Sequence, residues 1–190
     1  MSLKTLVLDN DANKEVRHKA LLNAVRTELQ SNDVEIEYTE KGKPNLVGVN
    51  KYISVTTTGD VMLCVLSDAP VGVDGEQLSR FTEIDSKIDF LALAERFFTE
   101  DEADYVRYND SDALSFARIW VRKEAYSKFT GKGLVDFQNF SVTNGERLYS
   151  KVSGIPVKTF YIDFPGSEDY IFAIAGTESS VEEQEALDLD

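Results

Sequence analysis

Apolar residues recur at helical spacing through NKEVRHKALLNAVRTEL, residues 13–29, and that period predicts an amphipathic helix. The next run, VEIEYTE at 34–40, alternates in the manner of a half-exposed strand, and GKP at 42–44 opens a turn-rich passage. KYISVTTTGDVMLCVLSDAPVGVDGE, residues 51–76, reads as three strands punctuated by Thr-Gly-Asp and Asp-Ala-Pro. From about residue 82 the helical period returns in IDFLALAERFF (88–98), TEDEADYV (99–106) and DALSFARIWVRKEAYSKF (112–129), the last stopped by the glycines of TGKG. Strand-like FQNFSV (137–142), VKTFYID (157–163) and YIFAIAG (170–176) follow. Helix followed by strands thus occurs twice, and GDVMLCVLSD and GSEDYIFAIAG are each a glycine-led strand closing its set. The expected fold class is α/β (α+β), with one lobe at 1–81, a second at 82–176 and a flexible tail at 177–190.

Composition narrows the class. With 190 residues and 42% apolar content, the chain can bury one good core or two small lobes sharing one. No stretch approaches the roughly 18 apolar residues of a membrane span, and MSLKTLVLDNDANKE lacks a basic segment followed by a long apolar one, so a cytoplasmic, non-membrane protein is expected. The single cysteine, Cys64 in VMLCVL, excludes an internal disulfide and reads as a core thiol. His18 is the one histidine, which leaves no second imidazole for a two-histidine metal site. Net charge is −14, an unsuitable balance for a protein that binds nucleic acid by neutralising phosphates. Six acids and no base lie in the last 14 residues, TESSVEEQEALDLD.

Chemistry concentrates in two places. In PVGVDGE (70–76), Asp74 and Glu76 are two apart on a strand, so both carboxylates point the same way. They repel unless a cation lies between them or the strand has run out into water. In the helix at 112–129, Ala113, Phe116, Ala117, Trp120 and Val121 form an apolar stripe that continues by steps of four to Glu124 and Lys128. A carboxylate on a core-facing stripe needs a partner or an exit to solvent. Taken alone, the helix tip could simply emerge into water with Glu124 and Lys128 weakly paired. Together with Asp74 and Glu76, Glu124 completes the oxygen donors that a hard cation such as Mg²⁺ accepts.

These residues have a familiar order: VGVDGE, then Phe97, Phe98 and Glu100 in FFTE, then WVRKEAYSK ending at Lys128, then GKGL. The set resembles the 4′-phosphopantetheinyl transferases of the larger, single-chain, Sfp-like type, over roughly residues 15–176. That resemblance implies a monomer of two similar α/β lobes related by a pseudo-twofold, with coenzyme A and Mg²⁺ between them. It also implies transfer of the phosphopantetheine arm to a serine of an acyl or peptidyl carrier protein. By the same resemblance Asp74, Glu76 and Glu124 match metal carboxylates, Glu124 and Lys128 are the catalytic pair, and Arg17, Lys43, Asp74 and Lys128 match positions that hold the coenzyme.

The chain also departs from the family. Thr56, Thr57 and Thr58 precede Gly59 where a serine-histidine-serine is usual, so a phosphate contact falls to the Thr57 hydroxyl and coenzyme binding is expected to weaken. Gly75 stands between the two carboxylates in place of a branched apolar residue and is expected to loosen the strand. An active transferase and a binding protein without turnover both remain compatible with the sequence.

Overall fold

The computed structural model describes residues 1–8, 12–82, 88–162 and 170–176, so the expected acidic tail lies outside the described residues. Among the described residues, nine strands and five helices follow one another along the chain. A first strand, β1 (Ser2–Val7), precedes α1 (Lys14–Leu29); β2 (Glu35–Tyr38) and β3 (Pro44–Val47) form a hairpin; β4 (Tyr52–Thr58), β5 (Val61–Ser67) and β6 (Val71–Gln77) follow. Then come α2 (Ser79–Thr82), α3 (Phe90–Phe97), α4 (Glu100–Tyr108) and α5 (Ala113–Thr130), a 3₁₀ turn over Leu134–Asn139, and β7 (Lys151–Val152), β8 (Ile155–Ile162) and β9 (Tyr170–Gly176). The mixed α/β class matches the expectation.

Two antiparallel sheets face each other. One has the order β1-β5-β4, the other β6-β9-β8-β7, so β6 joins the strands that come last in the chain. Strand alternation divides β5 between two cores: Val61, Leu63 and Val65 meet Val71, Val73, Phe172 and Ile174 between the sheets, while Met62, Cys64 and Leu66 turn to Leu21 and Val25 of α1. On the far side of the second sheet, Ile171, Ala173 and Ala175 of β9 pack with Ala117, Val121 and Ala125 of α5. Cys64 lies in the α1 core, where burial pushes its thiol up to about 12, so it is a packing residue and not a nucleophile.

Helix limits follow from local chemistry. Asn13, Asp89, Thr99 and Asp112 cap their helices by accepting an N–H two or three positions into the first turn, and Gly131 closes α5. Two expectations need correction. The stretch FQNFSV is not a strand: residues 137–139 end the 3₁₀ turn, whose three-residue period places Phe137 and Phe140 edge to face in one aromatic cluster instead of on opposite sides. The passage after GKP is not only turns, since Pro44–Val47 pairs with β2. Among the described residues no helix is long and apolar enough to cross a membrane.

Candidate active site

Gly72, Asp74 and Glu76 share the face of β6 that looks at α5. A Cβ on Gly72 would stand 2.1 Å from the Ala125 carbonyl oxygen and 2.4 Å from the Phe129 nitrogen, so only glycine lets the helix backbone lie this close to the strand. The close approach brings Lys128 onto Asp74, with Nζ 2.8 Å from Oδ1, and onto the Val55 carbonyl of β4 at 3.2 Å. Asp74 Oδ1 also accepts from the Thr56 hydroxyl at 3.0 Å, whereas its Oδ2 is buried with no hydrogen-bond partner among the described residues. Thr58 holds Glu76 through Oε2 at 3.3 Å.

Glu124, one turn before Lys128, is half-buried in the same corner. Burial first, then the negative charges of Asp74 and Glu76, push its carboxyl up to about 7, with Lys128 pulling the other way. The three carboxylates therefore share one electrostatic neighbourhood. Among the described residues, however, no three His, Cys, Asp or Glu side chains stand close enough together to hold a metal ion as they are. At Asp74 the Lys128 ammonium supplies the positive charge. The donor set still suits a hard cation: oxygen ligands alone, one of them buried with no hydrogen-bond partner among the described residues, and a glutamate whose charged form is disfavoured first by burial and then by its acidic neighbours.

A cleft of about 630 Å³ opens beside this corner, walled by Lys43, Val55, Glu124, Ser127 and Lys128. Lys43 does not project freely into it, because its Nζ donates to the Lys128 carbonyl at 2.9 Å and so serves the exposed end of α5. A second cleft of about 430 Å³ adjoins the first across Gly42, Pro44 and Val55, and there Arg17, His18 and Thr57 stand together. Arg17 is tied by Nε to the Ala12 carbonyl at 2.8 Å, and His18 Nδ1 lies 3.0 Å from the Tyr38 hydroxyl. Among the described residues, the second cleft is lined by basic groups without a carboxylate, whereas the first carries Glu124 beside Lys43 and Lys128.

Sequence reasoning passed over the groups that fix α5. Lys123 is fully buried and donates to Glu102 Oε1 at 2.7 Å and to the Phe140 carbonyl at 2.7 Å, its ammonium 4.2 Å from the Phe140 ring centre. Glu102 in turn accepts from the N–H groups of Thr99 and Val142, each at 2.9 Å, which completes the capping box of α4. Arg122, also buried, donates to Thr159 and to the carbonyls of Val157 and Tyr149. Three consecutive charges thus have three destinations: β8 for Arg122, the α4 end for Lys123, and the carboxylate corner for Glu124. The signal available in the sequence was Thr99 followed three positions later by Glu102; Glu100, singled out instead, is exposed in the first turn of α4.

Gly75 corrects another expectation. It lies on the opposite face of β6, beneath the Phe172 ring that its own register places beside it, and a Cβ there would be 2.0 Å from Cδ1. The glycine accommodates an aromatic side chain stacked with Phe160 and Tyr170 and does not mark a loose strand.

Residues 70–175, more than half of the chain, match the 4′-phosphopantetheinyl transferase superfamily. The chain belongs to that superfamily. Among similar proteins are the 4′-phosphopantetheinyl transferase Sfp of Bacillus subtilis (strain 168), 27% identical over 171 residues covering 80% of this chain and 72% of Sfp, and the transferase gsp of Aneurinibacillus migulanus, 28% identical over 146 residues. The transferase psf-1 of Bacillus pumilus is 30% identical over 130 residues. The chain spans 50% of the length of gsp and 52% of that of psf-1. As a member of the superfamily it carries its matched segment from the start of β6 to β9, which includes Asp74, Glu76, Glu124 and Lys128.

Proposed function

We propose that this protein transfers the 4′-phosphopantetheine arm of coenzyme A to a serine of an acyl or peptidyl carrier protein, with Mg²⁺ held by Asp74, Glu76 and Glu124. The observation that carries the reading is Lys128 bonded to Asp74, with Glu124 one turn away on the same helix, beside a cleft of about 630 Å³ that Glu124 and Lys128 line. Phosphoryl transfer asks a protein chiefly for positioning and charge neutralisation, and these are the groups gathered there.

In this reading the serine oxygen attacks the phosphorus that bears the pantetheine, a new P–O bond forms, and the bond to the adenosine-side phosphate breaks, releasing adenosine 3′,5′-bisphosphate. Glu124 accepts the serine proton, directly or through water. Lys128 places its ammonium against the diphosphate. Arg17, in the second cleft, meets the nucleotide end, and Lys43 braces the end of α5 that carries Lys128. When bound, Mg²⁺ would neutralise the diphosphate charge and stabilise the leaving oxygen.

Incubation with coenzyme A, Mg²⁺ and a panel of apo carrier proteins tests the reading by intact mass. One phosphopantetheine added to at least one carrier, and lost in Glu124→Gln, is the expected result. Coenzyme A binding without transfer to any carrier would replace transfer with binding alone.

A further inference from the structure

The strands β4 and β6 belong to different sheets, yet they run side by side in the same direction and are joined by side chains. Ser54, Thr56 and Thr58 alternate along β4, so their hydroxyls project from one side of it. They accept the N–H groups of Val73 at 2.9 Å, Gly75 at 3.2 Å and Gln77 at 2.9 Å, standing where a neighbouring strand's carbonyls would otherwise be. All three residues are at most 6% exposed, which keeps water from competing. A hydroxyl that accepts one hydrogen bond retains its own proton to donate. Thr56 donates to Asp74 and Thr58 to Glu76, the two acids of β6. The run of three threonines therefore divides: Thr57 lines the second cleft, while Thr56 and Thr58 turn to the carboxylates.

We propose that Thr56 is a positioning residue whose hydroxyl sets the Asp74 carboxylate for cation binding, an inference that rests on the reading of Asp74 as a ligand of Mg²⁺. Asp74 has one oxygen tied and one bare. Oδ1 takes both the Thr56 hydroxyl and the Lys128 ammonium, and Oδ2 is the buried, unpartnered oxygen. The two ties differ in kind. Lys128 reaches Asp74 on a long flexible stem and is the group that a diphosphate would draw away. Thr56 is β-branched, with little χ1 freedom, and is pinned from the other side by the Gly75 N–H, so its hydroxyl stays when the lysine leaves. Groups that orient a ligating carboxylate in this way typically change metal affinity about 10- to 100-fold when removed.

Valine copies the shape of threonine and removes both hydrogen bonds; serine keeps the hydroxyl and removes a methyl. Calorimetric titration of Mg²⁺ into the full chain saturated with coenzyme A compares wild type, Thr56→Val and Thr56→Ser, well below the unfolding temperature of each. The expected result is Mg²⁺ affinity about 10-fold lower or worse in Thr56→Val and close to wild type in Thr56→Ser. Transfer assays should show a lower kcat in Thr56→Val with the KM for coenzyme A nearly unchanged. Equal affinity in wild type and Thr56→Val would overturn the proposal, and so would a serine variant as weak as the valine one, because then packing and not the hydroxyl matters. A wild-type protein that takes up no Mg²⁺ overturns the metal reading itself, and the Thr56 role with it, a result distinguishable because no variant is needed to see it. Should Thr56→Val fail to fold, Thr56→Ser against Thr56→Ala makes the same comparison on a difference of one oxygen atom.

Discussion

Lys128 sits 2.8 Å from Asp74 across the α5–β6 contact, so a lysine on a helix neutralises an aspartate on a strand. The aspartate side chain is 9% exposed and the lysine 31%. Replacing Lys128 by methionine leaves the nearly buried carboxylate with only its Thr56 bond, and should destabilise the chain by about 1–3 kcal/mol in EDTA. Asp74→Asn in the same chain should return part of that loss. Urea denaturation of the two single variants and the double variant measures the coupling; additive effects would show that the pair contributes nothing.

Glu124 gives the metal-free protein a pH dependence whose sign is fixed. Its folded pKa of about 7 lies above the ordinary 4.5, so the folded state holds the proton more tightly, and stability is lost as pH rises from about 4.5 through 7. Glu124→Gln should therefore be more stable than wild type above pH 7, by on the order of 1–2 kcal/mol after discounting for partial exposure, and its stability should vary less over that window. Transfer activity should fall by 10²-fold or more in the same variant. Thermal unfolding at pH 5 and pH 8 in EDTA checks the first claim.

The two glycines of VGVDGE should respond differently to alanine. At Gly75 the obstacle is the Phe172 ring, a side chain held between Phe160 and Tyr170, and Gly75→Ala should cost about 1–3 kcal/mol, partly recovered by adding Phe172→Leu. At Gly72 the obstacle is helix backbone, which no second substitution removes. Gly72→Ala should push α5 away from β6 and lose both stability and Mg²⁺ binding. Chemical denaturation of the three variants separates the cases.

Lys123 and Glu102 are both wholly buried, so neither tolerates loss of the other. Lys123→Met strands the Glu102 carboxylate and should cost about 3–5 kcal/mol. The double variant with Glu102→Gln should recover much of this, because a glutamine oxygen can still accept one of the N–H groups of Thr99 and Val142. Removing Glu102 alone tests the other partner, since burial pulls the Lys123 pKa down and Glu102 is the first of the groups that counter it. Unfolding curves for the cycle would show whether the pair acts as a unit.

Thr57 lines the second cleft together with Arg17 and brings a hydroxyl and no charge. Thr57→His should tighten coenzyme A binding below about pH 6.5, where an ordinary imidazole is cationic, and change little at pH 8. Binding isotherms at the two pH values decide; tightening that does not depend on pH would show that shape and not charge is responsible.

Much of this protein was legible in its sequence because local rules governed it. Helical and strand periods located α1, α3, α4, α5 and β4 to β6, and the glycines of TGKG marked the end of α5, since those signals act within a few residues. The spacing of Asp74 and Glu76 and the stripe leading to Glu124 and Lys128 likewise pointed to the charged groups of the candidate site. What the sequence could not determine is which group meets which across the fold. That Lys128 takes Asp74, that Lys43 serves a helix end, that Phe172 covers Gly75, and that Thr56 serves Asp74 while its neighbour Thr57 turns to a cleft are all decided by the fold, the paired residues standing 18 to 97 positions apart. Such pairings come from how two sheets and a helix close on one another, and no period along the chain encodes them.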